Sequence, residues 1–168
     1  MHSIFLALQS LRTQLAQALP AIPGLRHFDV SFPLNDAFDP LAWLGVQRCY
    51  PQFYWQQRSG DEELAALGSL AQFDSLASAS RFLHAHDVAN DTRICGLNAF
   101  NPAQGKLFLP RLLWRRSGGV ATLRLQLWSE TSLREDAREA LNFVDNLRDA
   151  APIRPLSVQI VQETHHPE

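Results

Sequence analysis

The sequence predicts an α+β fold: a mostly antiparallel sheet with helices packed outside it. Three observations carry this. Residues Lys106–Arg116 and Val120–Trp128 are two strand-like runs joined by the turn residues Ser117-Gly118-Gly119. Apolar residues recur at helical spacing near both ends of the chain, while the middle alternates between apolar and polar. No strand–helix–strand rhythm suggests a parallel sheet, so adjacent strands are expected to pair antiparallel.

From the start, Ile4, Leu8, Leu11, Leu15 and Leu19 lie about one helical turn apart, with Gln and Arg between them. A helix is expected from Ser3, a candidate N-cap, to Leu19, where Pro20 stops it. Phe28, Val30 and Phe32 alternate with Asp29 and Ser31, which is strand periodicity, and Pro33 ends that strand. "LNDAFDPLAWL" follows as a turn or short helix. "QFYWQQ" is a strand by its aromatic content, and Ser59-Gly60-Asp61 is turn chemistry. "ELAALGSLAQF" fits a returning strand, although its Ala and Leu suit a helix as well. Asp74 or Ser75 caps a helix over "LASASRFLHAH". "RICGLNAF" is a short strand, and Asn101–Gly105 is a turn. In the second hairpin arm Leu123, Leu125 and Leu127 share one face, and Thr122, Arg124 and Gln126 the other. Ser132 and Glu135 have capping-box spacing before a stripe of Leu133, Ala137, Ala140, Leu141, Val144 and Leu147. "PLSVQIV" is expected to form a last strand before a polar tail.

The totals set limits on function. A chain of 168 residues, 46% hydrophobic and 19% charged, is long enough for one α+β domain over residues 1–168, burying roughly 68–70% of its unfolded surface. A net charge of −2 leaves no broad electrostatic footprint for nucleic acid. No apolar run reaches membrane-spanning length and the start lacks the pattern of a signal peptide, so a cytoplasmic protein is expected. Cys49 and Cys95 are the only cysteines, too few for a disulfide framework or a four-cysteine zinc site. Arginine supplies all but one of the 15 cationic residues; Lys106 is the only lysine.

Candidate chemistry is thin. His84 and His86, two apart on a helix, point in different directions and do not share a metal. His165 and His166 lie in the polar tail. Cys95 sits in an apolar strand with no visible base. Asp61, Glu62 and Glu63 are consecutive acids beside a turn, where they diverge into water. Lys106 opens a strand as an exposed amine. Arg115 and Arg116, next to the Ser-Gly-Gly turn, could meet a phosphate or carboxylate, though a solvated strand end explains them more simply. No G-x-S-x-G elbow, dinucleotide loop or P-loop occurs. The residues therefore assign no catalytic, cofactor-binding or metal residue.

Longer stretches are more informative. "FPLNDAFDPLAWL", "YPQFYWQQRSGDEELAALG", "GLNAFNP", "LFLPRLLWRRSGG" and "ATLRLQLWSE" occur in this order. Together they resemble the N-terminal part of menaquinone-specific isochorismate synthases, members of the chorismate-utilising enzymes, most firmly from Ile22 to Ser132. The resemblance implies a layered sandwich of two sheets packed face to face with helices outside, to which the N-terminal part contributes strands and helices. It implies conversion of chorismate to isochorismate with Mg²⁺, the entry step to menaquinone. In the family a lysine activates water, a glutamate acts as general acid and further glutamates bind Mg²⁺. All of these belong to the C-terminal half, and Lys106 does not match the catalytic lysine. The chain is therefore expected to be a scaffold region, inactive alone and without a bound cofactor. Its expected partners are the C-terminal catalytic half and, through exposed apolar faces, other copies of itself; chorismate is the substrate of the full-length enzyme. The alternative is a stand-alone binding module that keeps the fold without catalysis, with a small carboxylate near Arg115 and Arg116.

Overall fold

The computed structural model describes residues 3–34, 38–87, 91–98, 100–101 and 103–149. Its elements are α1 (Ser3–Leu15), β1 (Gly24–Pro33), α2 (Pro40–Val46), β2 (Gln52–Gln56), β3 (Glu62–Phe73), α3 (Leu76–His86), β4 (Cys95–Asn98), β5 (Gly105–Ser117), β6 (Val120–Ser129) and α4 (Leu133–Asp145). The described strands form one sheet of six, ordered β1-β6-β5-β3-β2, with β4 also on β5. Every described pairing is antiparallel, so the α+β class holds. The expected last strand "PLSVQIV" lies outside the described residues.

Local chemistry explains most boundaries. In α2, the Asp39 carboxylate accepts from Leu41 N and Ala42 N at 2.8 and 3.0 Å, and Pro40 occupies the first turn where its missing N–H costs nothing. Ser75, rather than Asp74, is the N-cap of α3, in a full capping box with Ser78. The Asp74 carboxylate instead accepts from the Ser75 and Ser78 hydroxyls. On α4 the box is half formed: Ser132 Oγ accepts from Glu135 N, while Ser132 N donates to Ser129 Oγ at 2.8 Å. The ambiguous "ELAALGSLAQF" is strand, because β2 and β5 flank it and pair with it on both sides. Helix α1 ends at Leu15, one turn before Pro20, yet Leu19 still packs into the core.

Strand register separates the two faces of the sheet. The rows Tyr54–Ala65–Trp114–Leu123–Val30 and Gln52–Leu67–Leu112–Leu125–Phe28 lie on one face. Helices α1, α2 and α4 cover it, and Leu11, Trp43, Leu133, Ala140 and Val144 complete the larger core. Burying such a set is the main stabilising term, at about 25 cal/mol per Å² of apolar surface. The opposite face carries Trp55–Leu64–Arg115–Thr122–Ser31 and Phe53–Ala66–Leu113–Arg124–Asp29. Its apolar cluster is small: Leu64, Ala66, Cys95, Phe108 and Leu113.

The sheet forks. Strand β6 pairs with β5 only through Leu112↔Leu125; beyond that point β6 continues along β1 to Ser129, and β5 pairs with β4 instead. Backbone groups at the fork lose ladder partners and must find others. Gln126 Nε2 donates to Pro110 O at 2.7 Å, and Arg111 Nη1 donates to Gln126 O at 3.1 Å. The buried Arg111 guanidinium is gripped in turn by both oxygens of Asp136 on α4, at 2.6 and 2.7 Å. Asp136 Oδ2 also accepts from Trp128 N at 2.9 Å. Three polar side chains thus do the work of missing ladder bonds. Nearby, Gly68 has φ +68°, and a Cβ there would lie 2.9 Å from the Phe143 ring and 3.3 Å from Arg111 Cβ. That glycine lets α4 approach β3 beside the register shift between Ser69 and Ala71.

Candidate functional site on the charged face of the sheet

Among the described residues, polar side chains concentrate on the face away from α1, α2 and α4. A cleft of about 560 Å³ lies there, lined by Asp29, Ser31, Asp91, Thr92, Arg93, Leu113, Arg115, Thr122 and Arg124. Strand alternation puts Arg115, Thr122, Arg124, Asp29 and Ser31 on this side, and the segment 91–94 between α3 and β4 brings in Asp91 and Arg93.

The cleft has two unequal halves. In one, Arg124 donates from Nε and Nη2 to both oxygens of Asp29 at 2.8 and 2.7 Å, and from Nη1 and Nη2 to the carbonyl and carboxylate of Asp91 at 3.0 and 2.8 Å. Four of its five N–H donors are used, and its pKa is raised, chiefly by the hydrogen bonds it donates to Asp29. The Arg124 hydrogen bond in turn holds Asp91 below the usual carboxylate range, and His27 lies 3.7 Å from Asp91. Ser31 and Thr122 hydroxyls pair at 2.9 Å. In the other half, Arg115 Nε donates to Glu62 Oε1 at 2.7 Å, while Arg93 Nη2 stands 3.6 Å from the same oxygen. Two guanidiniums share one carboxylate.

A second, more apolar groove of about 800 Å³ runs past Phe53, Phe73, Leu97 and Phe108, with Lys106, Asp74 and Gln52 on its margin. Lys106 is exposed there.

The residues singled out from sequence scatter over the molecule. Glu62 and Glu63 diverge as neighbours on a strand do, but not into water as expected: Glu62 serves the charged cleft with its side chain 22% exposed, and Glu63 is buried on the side of α1, α2 and α4. Glu63 accepts from Tyr54 Oη at 2.6 Å and pairs with Arg116 at 3.0 Å. Burial and the Glu63 bond push the Tyr54 phenol up to about 12. Arg115 and Arg116 therefore point to opposite faces, each already with a carboxylate. His84 and His86 are exposed on α3; the His86 ring stacks 4.4 Å from Trp128 and 4.9 Å from Phe82. Cys49 and Cys95 are free thiols, and burial raises Cys95 to about 12, far from a reactive thiolate. His165 and His166 lie outside the described residues. Among the described residues no group of three or more His, Cys, Asp or Glu is arranged to hold a metal, and no helix is long and apolar enough to cross a membrane. Sequence reasoning missed Arg93, Glu62 as a shared partner, and the Arg124 clamp, because these pairings join distant parts of the chain.

No protein-family model matches the chain. The fold defines an antiparallel-sheet α+β scaffold with α1, α2 and α4 on one face and α3 at one end of the other. Its relatives are more specific. It is 52% identical over its whole length to isochorismate synthase MenF of Escherichia coli, 39% of which it covers. It is 34% identical over 122 residues to MenF of Pasteurella multocida, covering 27% of that protein. The solved structure of the menaquinone-specific isochorismate synthase from E. coli superposes with a TM-score of 0.88, over 99% of this chain and 39% of that one. The chain is thus a homologue of the isochorismate synthases in sequence and in fold, and it fits their N-terminal portion. It spans about two-fifths of the length of the E. coli relative it matches.

Proposed function

We propose that this chain is the N-terminal scaffold region of an isochorismate synthase of menaquinone biosynthesis, and that it does not turn over chorismate by itself. The observation that carries the reading is the 52% identity along all 168 residues, together with a fold superposing at a TM-score of 0.88. The described chemistry agrees. Its carboxylates are tied to arginines, its buried thiol is protonated, and its lysine is solvated at a strand start. None of these is poised as a general acid or base.

On this reading residues 1–168 act as one α+β unit in the cytoplasm. The rest of the enzyme supplies the acid–base groups and the ligands for Mg²⁺. The chain's own contribution is a sheet with α1, α2 and α4 on one side and, on the other, α3 against Trp128 beside the charged cleft.

The test is chorismate turnover with Mg²⁺, measured by chromatographic detection of isochorismate. The chain alone is expected to give none. Fused in place of the matched stretch of the E. coli relative, it is expected to give an active enzyme. Turnover by the chain alone that scales with protein and vanishes on chelation refutes the scaffold assignment.

A further inference from the structure

The scaffold reading leaves open how the polypeptide passes out of the scaffold toward the rest of the enzyme. We infer that Gln47 is a positioning residue for isochorismate formation: its buried amide fixes the backbone at Arg148, just past α4, and so sets the point from which the remaining polypeptide departs; this rests on the scaffold reading.

The amide is fully engaged and selectively aimed. Gln47 is 4% exposed. Its Oε1 accepts from Arg148 N at 2.9 Å, and its Nε2 donates to Arg148 O at 2.7 Å and to Trp43 O at 2.9 Å. One side chain thus meets both backbone groups of a single residue, as an antiparallel strand neighbour would. The end of α4 needs no such help. Asn146 N and Leu147 N donate back to carbonyls of its last turns, so Arg148 is the first residue whose direction the helix no longer sets. The anchor is firm: Gln47 caps α2, its own N–H donating to Leu44 O, and Trp43 and Leu44 lie in the larger core. Gln52 Nε2, at the start of β2, also donates to Gln47 O at 3.3 Å.

A purely stabilising role explains less. Helices α2 and α4 already share the core through Trp43, Leu44, Ala140 and Val144. Removing the amide therefore leaves both helices packed and frees only the backbone after Leu147. The match covers 39% of the E. coli relative and fits its N-terminal portion, so the greater part of such an enzyme is joined through the stretch that starts at this tie. Reaction rates respond steeply to placement: a shift of about 1 Å from a change remote from the chemistry costs as much as about 100-fold. A carboxylate in place of the amide would not serve, because it offers no donor to Arg148 O and Trp43 O.

The experiment uses the full-length fusion of this chain with the remainder of the E. coli relative, beside the 168-residue chain. Gln47→Met keeps the shape and removes the bonds; Gln47→Glu keeps an acceptor and, when ionised, loses both donors. In the 168-residue chain, Gln47→Met is expected to make amide exchange fast at Arg148 while α2, α4 and β6 stay protected. In the fusion, assayed well below its thermal midpoint, Gln47→Met is expected to lower kcat about ten-fold at unchanged KM. The kcat of Gln47→Glu relative to the parent is expected to rise as pH falls toward the carboxylate range, where the protonated carboxyl again presents a donor beside an acceptor. An unchanged kcat, a loss accounted for by a smaller folded fraction, or an Arg148 amide that stays protected overturns the inference and leaves the scaffold reading standing. A parent fusion that fails to fold or to make isochorismate overturns both.

Discussion

Replacing Asp136 by leucine leaves the Arg111 guanidinium stranded in the fork of the sheet. Both side chains are about nine-tenths buried, and Asp136 takes two bonds from Arg111 and one from Trp128 N. Removing one member of a buried pair costs about 3–5 kcal/mol, because the survivor keeps its desolvation penalty without its partner. A domain of this kind is stable by only about 5–15 kcal/mol. The loss therefore amounts to a fall of about 6–20 °C in midpoint, at roughly 2–4 °C per kcal/mol for chains of 150–250 residues. Urea unfolding of Asp136→Leu, Arg111→Met and the double variant, followed by tryptophan fluorescence, measures it. The double variant is expected to cost clearly less than the sum of the singles, since it removes both charges and leaves only Gln126 O and Trp128 N–H to find new partners. An Asp136→Leu protein within about 1 kcal/mol of the parent, or singles that simply add, refutes the view that this cluster replaces the missing ladder bonds.

Gly96→Ala is expected to prevent β4 from closing on β5. The residue sits at φ +139°, and a Cβ there would overlap the Lys106 carbonyl oxygen, which is backbone and does not yield; amide exchange of Cys95–Asn98 then becomes fast while that of β6 is unchanged. Tyr54 should give an alkaline signature. Its folded pKa of about 12 exceeds the unfolded value of about 10, so its stabilising contribution is complete below pH 10 and is lost as pH rises toward 12. The gap in urea midpoint between the parent and Tyr54→Phe should shrink over that window; a constant gap removes the Tyr54–Glu63 bond as its cause. The isolated chain is expected to self-associate through its open face or its edge strands β1 and β2, and a strictly monomeric sedimentation profile at high concentration rules that out.

The strands and helices were largely legible because their signals are local. Leu123, Leu125 and Leu127 alternate with Thr122, Arg124 and Gln126, and this assigns the two faces of β6 without any tertiary knowledge. The cap of α3, narrowed from sequence to Asp74 or Ser75, is equally local. What stayed hidden depends on pairing across the chain. Asp136 reads as one more acid on an amphipathic helix, and its burial becomes intelligible only once Arg111 arrives from 25 residues upstream. Gln47 looks like a loop residue, yet its amide binds the backbone N–H and C=O of Arg148, tying α2 to the end of α4. The charged cleft was invisible for the same reason: Glu62, Arg93 and Arg115 lie on β3, a connecting segment and β5. Adjacent labels misled as well, since Arg115 and Arg116 look like one basic pair and face opposite sides of the sheet.

The fork and the charged face belong to one design. If β6 had run beside β5 along its whole length, Gln126 and Arg111 would have stood on the sheet surface as ordinary polar residues. Because β6 leaves at Leu125 to follow β1, the first residues of β5 are released to take β4. The segment leading into β4 then crosses the face opposite α1, α2 and α4, carrying Asp91 to Arg124 and Arg93 to Glu62. Neutralising the fork with Asp136 of α4 locks this geometry from the helix side. Arg124 with Asp29 and Asp91, and Glu62 with Arg93 and Arg115, are thereby held at set positions on that face.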